Sequence, residues 1–490
     1  MCKGGVFWMD ELKKKKKITL ASEFSFDYTY MFGEGRLQVE EIEKLKEKIA
    51  QAAQGIEEIR KQGIVKNHFS KDGAVEPVYF TRLPYIQKGY PNELESIKEL
   101  EEFGKKVRAN ADVVIFCGVG GSYLGGKVLY DCFTSEYWRG ETEKVKGPKV
   151  FFSGNSLDAE TTEHLWHQLK AQAIIGMAEG KGKLTVQLIP ISKSGTTLEP
   201  TTAFLYLYEQ IVKEPKLFNL QVAVVTDKRK SGPLNQLAKE NAWPMFDVQD
   251  GIGGRFSVLA NPGLIVATVL GMDIQEILKG ARDMEESCQS SDIWQNPALL
   301  NATIKYLAGS QHGCNIEIMM PYAIRLKSLG EWYVQLLAES LGKRLNRNGK
   351  EVFYGRTPVV AIGTTDMHAQ TQLHQDGVRN KVVQFVEVGG RNNRIVLNEP
   401  FSHIDAYAKY AGLDLNRALL VALQANEEAL DSDNRFSARY YLPKINEYYL
   451  GQMFYFLMLS IAYEGELANV DAYDQPGVEI YKKIMHNHLG

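Results

Sequence analysis

Apolar positions along the chain follow two periodicities. From Glu40 to Lys61, Ile42, Leu45, Ile49, Ile56 and Ile59 recur at helical spacing among charges, which predicts one amphipathic helix with a break near Gly55. Further on, short apolar runs are each followed by a glycine- or serine-rich turn and a helical stretch. The runs are VVIFC at 113–117, VQLIPI at 186–191 and AVVT at 223–226, then IEIMMPY at 316–322, VVAI at 359–362 and VVQFVEV at 382–388. Runs that are β-branched and do not alternate suit strands buried on both faces, and intervening helices make such sheets parallel. The runs fall into two groups, before and after about residue 290, which predicts two α/β domains in tandem. Residues 1–36 read as irregular, a basic run followed by the aromatic stretch FSFDYTYMF. The longest apolar run, Met453–Tyr463, is shorter than the roughly 20 residues a membrane span needs and reads as a buried core helix.

Composition narrows the setting. At 490 residues the chain exceeds the roughly 250–300 that one core usually serves, and 44% apolar content can build two or three cores. Lys plus Arg number 57 against 60 for Asp plus Glu, a net charge of −3, so no general attraction to nucleic acid or to an anionic membrane is expected. An anionic substrate must then be caught by a local site. The Lys13–Lys17 run is either a solvated tail or a contact for a polyanion. The five cysteines (Cys2, Cys117, Cys132, Cys288, Cys314) are scattered without a CxxC, which points to neither a disulfide framework nor a zinc site. The opening MCKGGVFWMDEL lacks the apolar stretch of about 7–15 residues that an export signal carries. A reduced, cytoplasmic setting is the expectation.

Ligands of parallel α/β sheets bind outside the carboxyl ends of the strands, so the turns after the apolar runs are where chemistry is expected. The turn Gly118–Gly126 misses two phosphate motifs: Tyr123 stands where a dinucleotide fingerprint needs its last glycine, and Val128 stands where the G-x-x-x-x-G-K-[ST] loop needs its hydroxyl. It is either a plain strand-to-helix turn or a loop thinned by glycine, letting backbone N–H groups and Ser122 reach a ligand. Ser192-Lys193-Ser194-Gly195-Thr196-Thr197 sets four hydroxyls, a lysine and a glycine at a helix start, a composition that can surround a phosphate monoester. A helix N-cap would account for one of those hydroxyls. Arg255, on the turn Gly253–Ser257, can grip an oxygen bidentately or take part in a surface salt bridge. On the helical stretch 329–343, Gln335 and Glu339 share a face, while Glu339 could also pair with Lys343 at i,i+4 on solvated surface. Among nine histidines, His368 in the turn after the 359–362 run and His374 stand out as proton carriers or structural residues. Near the carboxyl terminus, Gln475 precedes a proline-glycine helix start, and Lys482 lies within that helix.

Taken together, GVGGSYLGG, SKSGTT, DGIGGRFSVLANPG, the ESLGK pentad, TTDMH and YDQPGVEIYKK resemble, in order from about residue 113 to 485, the glucose-6-phosphate isomerase family in its shorter bacterial form. The resemblance implies two sugar-isomerase (SIS) domains, each a parallel sheet between helix layers. It divides the chain into a tail and helical lead-in over 1–100, a first SIS domain over 101–285, and a second over 286–490 that ends in helices. It further implies a homodimer with shared active sites, a hexose 6-phosphate substrate in glycolysis and gluconeogenesis, and no cofactor or metal. By motif, Ser192, Ser194 and Thr197 would hold the phosphate, Gly121 and Ser122 would line the sugar, and Lys193 would lie near it. Glu339 matches the catalytic base with Gln335 beside it, and Arg255 matches the arginine that stabilises the intermediate. His368 matches the ring-opening histidine supplied by the neighbouring subunit, and Gln475 and Lys482 match a late substrate-contacting pair. The pentad's usually polar third residue is Leu341 here, on a side of the helix away from Glu339.

These roles match what an aldose–ketose isomerisation needs. A base must carry a proton between C1 and C2 through a cis-enediol, and Glu339 is the expected carrier. The enediolate needs a permanent cation, which arginine provides. The cyclic sugar must first open, a step expected of His368 assisted by Lys482. An isomerase for another hexose 6-phosphate, a non-catalytic sugar-phosphate sensor and a nucleotide binder are the rival expectations.

Overall fold

In the computed structural model, which describes residues 16–69, 73–134, 147–399 and 401–489, the chain forms two units. One is Glu76–Lys279, and the other joins Met1–Val75 to Gly280–Gly490. Cys2, Lys13–Lys15 and the opening MCKGGVFWMDEL lie outside the described residues.

The apolar runs become strands because each can be enclosed on both faces. In the 76–279 unit, Lys149–Ser153, Val113–Cys117, Leu184–Pro190 and Phe218–Val222 form one all-parallel sheet in that order. Val113, Ile115 and Cys117 face a cluster with Trp166 and Leu169 of the helix Ala159–Ala178 and with Phe204 and Leu207 of the helix Leu198–Lys213. Phe116 faces the other way and stacks on Phe152, which Tyr130 of the helix Leu124–Phe133 meets edge-on at 5.5 Å. The sheet therefore lies between two helix layers. A short parallel pair, Val224–Thr226 with Met245–Asp247, joins it through a bridge from Ile191 to Val225.

The other unit carries a six-stranded sheet. Its order is Lys17–Thr19, Ser25–Asp27, Phe436–Lys444, Lys381–Gly390, Ile316–Pro321, Thr357–Val360. The last four strands are parallel, as expected. The first two are antiparallel additions from the segment read as irregular. Phe24 and Phe26 are fully buried, and Phe26 lies 5.5 Å from Tyr440. Spacing two apart is the strand signal in FSFDYTY, and its shortness hid it. Helix Leu415–Ser432 covers one face through Leu423 and Leu430, and Phe456 of the helix Glu447–Ala468 meets Tyr440 at 5.2 Å. That last helix is buried from Leu450 to Gly465, the core role expected of the longest apolar run. Among the described residues, no helix is long and apolar enough to cross a membrane.

The early amphipathic stretch forms Val39–Lys44 and Lys46–Gln62, so its break falls at Leu45 and not near Gly55. Gly55 serves a close approach instead: a Cβ there would stand 2.7 Å from a Glu466 carboxylate oxygen. A charged cluster is enclosed in the same unit. Arg356 binds Glu317 (Nη2 to Oε2, 2.9 Å) and Glu464 (Nη2 to Oε2, 2.8 Å), Lys305 also meets Glu317, and Tyr333 donates to Glu317 at 2.7 Å. Burial raises the Glu317 pKa, but the Lys305 and Arg356 charges win and hold it at about 2.

Candidate active site

Two loops of the 76–279 unit leave the carboxyl ends of neighbouring strands. Ile191 N donates to Cys117 O at 2.8 Å, so the turns starting at Gly118 and Ser192 emerge side by side. In the second, Gly195 adopts a left-handed φ of +70°, which folds the loop back on itself. Ser192 Oγ accepts from Gly195 N at 3.1 Å and lies 3.1 Å from Thr197 Oγ1, while Ser194 Oγ accepts from Thr196 N at 3.2 Å and Thr196 Oγ1 at 3.0 Å. Four hydroxyls thus gather where the helix Leu198–Lys213 begins. Thr197 stands at the N-cap position, yet its side chain makes no capping bond, so the capping reading does not account for it. The positive end of the helix dipole favours an anion at this start. Lys193 is held by Asp250 (Nζ to Oδ1, 3.2 Å), which Arg229 also approaches at 3.3 Å.

The glycine turn and the arginine turn touch. A Cβ on Gly121 would fall 2.1 Å from the carbonyl carbon of Gly254, a distance no side chain can occupy. Ser257 Oγ ties the two by donating to Gly254 O at 2.7 Å and Gly121 O at 3.4 Å. Ser122, next to Gly121, is half-buried. Arg255, in the 3-10 turn Gly254–Leu259, is 1% exposed, with its guanidinium 5.6 Å from the Phe256 ring centroid. The surface salt bridge reading fails on that burial: the charge is held in a water-poor setting, where it acts strongly on a nearby anion. The phosphate-loop spacing from Gly121 to Lys127 serves packing here. Lys127 binds Asp131 (Nζ to Oδ2, 2.6 Å) and Val128 is in the core.

The remaining candidates belong to the other unit. The helix Lys327–Leu341 buries Trp332, Leu336, Leu337 and Leu341, as its pattern predicts, and leaves Gln335 and Glu339 half-exposed. Gln335 Nε2 donates to Glu339 Oε1 at 3.1 Å, and Gln335 Oε1 is buried without a hydrogen-bond partner. Lys343 does not lie with Glu339 on a solvated face. It is buried, and its ammonium donates to Glu339 O at 2.5 Å and Asp474 O at 2.7 Å and pairs with Asp474 Oδ1 at 3.2 Å. This contact, across 131 residues of chain, brings the segment before Gln475 to the end of the Glu339 helix. Lys343 and Asp474 were not singled out as a pair, and no local pattern could have linked them. Gln475 is exposed, and Lys482, on the helix Pro476–Leu489, sits 3.3 Å from Glu479.

The two histidines separate. His368 is exposed at the end of the turn Thr365–Met367, which Asp366 fastens by accepting from Ile362 N at 2.6 Å. His374 is 3% exposed, and burial followed by the Lys381 charge lowers its pKa to about 4, so it is neutral at pH 7. Of the two, His368 is the one placed to exchange protons with a ligand from solvent.

Known proteins resemble this chain over most of its length. A profile of the family described as Phosphoglucose isomerase matches residues 91–489. A glucose-6-phosphate isomerase of Carboxydothermus hydrogenoformans is 34% identical over 456 residues, covering 93% of this chain and 91% of that protein. A probable glucose-6-phosphate isomerase of Methanococcus maripaludis is 33% identical over 402 residues, 81% and 82% of the two chains. Among solved structures, a hypothetical protein of Thermus thermophilus superposes with a TM-score of 0.76 at 25% identity, covering 95% of this chain and all of that one. A glucose-6-phosphate isomerase from Chlamydia trachomatis superposes with a TM-score of 0.78 at 20% identity, covering 98% and 91%, and shows the same fold.

Proposed function

We infer that this chain, which belongs to the phosphoglucose isomerase family, interconverts glucose 6-phosphate and fructose 6-phosphate. The observation that carries the reading is the hydroxyl cluster Ser192–Thr197 at a helix start, joined by family membership to a carboxylate, Glu339, oriented by Gln335. Ser192, Ser194 and Thr197 hold the phosphate with neutral donors and the helix dipole. The phosphate does not react; its binding energy fixes the sugar's orientation. Gly121 and Ser122 line the sugar and Lys193 lies near it, its charge shared with Asp250.

His368, with Lys482, opens the hemiacetal. Glu339 then takes the proton from C2 of the open aldose and returns it at C1 while the hydroxyl proton passes from O2 to O1, leaving the ketose; the reverse path uses the same group. The proton shared between the two carbons leaves a cis-enediol, and Arg255 balances the negative charge that develops on its oxygen. Gln335 holds Glu339 Oε1 at 3.1 Å and offers its own buried carbonyl oxygen to a sugar hydroxyl. Gln475 contacts the substrate late in the chain.

A homodimer sharing residues between its sites, with His368 coming from the neighbouring subunit, is part of this reading. It is supported by the helix Pro476–Leu489, which buries no residue within its own chain and leaves Ile480 67% and Ile484 53% exposed. A reducing cytoplasm is supported by Cys117, Cys132, Cys288 and Cys314, which are buried thiols outside any disulfide.

The test is a coupled assay of the full-length protein on a panel of hexose 6-phosphates with a chelator present. Fructose 6-phosphate should yield glucose 6-phosphate at an undiminished rate. Conversion of another hexose 6-phosphate in preference to these two would replace the substrate assignment, and no conversion at all would remove the isomerase reading.

A further inference from the structure

Outside the groups assigned above, the unit containing Gly280–Gly490 has a second concentration of cations. It lies at the amino ends of the parallel strands, opposite the carboxyl ends that lead into the Gly363–His368 turn. Lys381 opens the strand Lys381–Gly390, Arg435 directly precedes the strand Phe436–Lys444, and His312 ends the helix Pro297–His312. Together with Arg379 and His374 they line a cavity of about 120 Å³ whose walls include no carboxylate. That space suits several waters or one small oxyanion.

The bonds that fix these side chains leave positive charge over. Asp433 is shared by Arg379 (Nη2 to Oδ1, 2.5 Å) and Arg435 (Nε to Oδ2, 2.7 Å). Lys381 donates to neutral oxygens, Val378 O at 2.8 Å and Asn380 Oδ1 at 2.9 Å. Three cationic side chains therefore share one carboxylate, while Glu41 faces His312 at 2.9 Å. The crowding is felt: burial and the Arg435 charge push the Lys381 pKa down. His374 adds a second, independent sign. It is 3% exposed, and its Nδ1 has no hydrogen-bond partner. A buried ring nitrogen left unpaired is costly unless something fills the space beside it.

We propose that this cavity binds a small tetrahedral oxyanion, inorganic phosphate or the phosphate end of a monoester, at a site separate from the Ser192–Thr197 loop. The forked Arg379 and Arg435 guanidinium groups, the Lys381 ammonium and the His374 ring supply charged and neutral donors around one anion, which their mutual repulsion favours.

The experiment is equilibrium dialysis of the full-length protein against labelled inorganic phosphate at low ionic strength. Wild type should bind two phosphates per chain, and Ser194→Ala with Thr197→Ala should remove one. Lys381→Met should remove the other while leaving isomerase turnover unchanged. Arg379→Gln, at a side chain 59% exposed, guards against misfolding of the first variant and should weaken the second site by roughly tenfold or more, the loss of one charge-assisted bond. Glycerol 3-phosphate then separates the sources: displacement of the second phosphate assigns a monoester, and failure to displace assigns the free ion. A single phosphate per wild-type chain that Ser194→Ala with Thr197→Ala removes, or binding of unchanged affinity in both cavity variants, would overturn the proposal. Because the readout is binding, it stands or falls apart from the isomerase assay.

Discussion

Gly121 shows how a single missing atom can bring two turns into contact. Its Cβ would stand 2.1 Å from the Gly254 backbone, one residue before the buried Arg255. Gly121→Ala must therefore push the two turns apart, and an arginine displaced by about 1 Å can cost on the order of 100-fold. The expected outcome is a loss of about that size in kcat/KM with far-UV circular dichroism unchanged. Glu427 makes a different point. It is 5% exposed and competes with Asp27 and Glu387 for Arg439, which lies 3.0 Å from Glu387 and 3.5 Å from Glu427. Burial outweighs the attraction of Arg439 and raises the Glu427 pKa from 4.5 to about 7. The folded protein thus binds this proton more tightly than the unfolded chain, so stability falls as pH climbs from about 4.5 to about 7 and stays lower above. Glu427→Gln should remove that slope and stabilise the protein at pH 8 by up to about 3 kcal/mol, read by urea unfolding at pH 5 and 8.

At the scale of elements, what could be read from sequence followed the environment of each strand. The runs at 113–117, 186–191, 316–322 and 382–388 were legible because strands buried on both faces are apolar throughout. The edge strands Lys149–Ser153 and Phe218–Val222 are partly exposed and mix polar residues into the pattern, so no uninterrupted run marked them. Phe436–Lys444 was hidden by Ser437 and Arg439, the latter serving the carboxylates beside it. The strand Ser25–Asp27 was missed because three residues are too few to establish a period, and one of its two partners lies more than 400 residues on. Its contribution is nonetheless large. Phe26→Ala empties a fully buried ring site among Tyr28, Tyr440 and Phe456 and should cost about 3–5 kcal/mol in urea unfolding.

At the scale of the whole molecule, a net charge of −3 gives no general basic face for an anion, so the proposed phosphate contacts fall in local loops. The motifs point to Arg255, Glu339 and the Ser192–Thr197 loop because each lies within one short segment. They could not show that Lys343 turns to Asp474, or that His374 lies in a cationic cavity, since both depend on residues distant in sequence. The proposed dimer makes its own prediction. If His368 serves the neighbouring subunit's Glu339, inactive Glu339→Gln and His368→Ala chains refolded together should regain roughly a quarter of wild-type activity, since half the dimers are hybrids with one intact site. Absence of any recovery would place both residues in one chain's site.

The most direct measurement is the turnover of Glu339→Gln on fructose 6-phosphate, made beside a substrate-binding titration. A proton carried between C1 and C2 by this carboxylate predicts a loss of roughly 10²–10⁴-fold or more in kcat with substrate still bound. Turnover near that of wild type would contradict the assignment of Glu339 as the base.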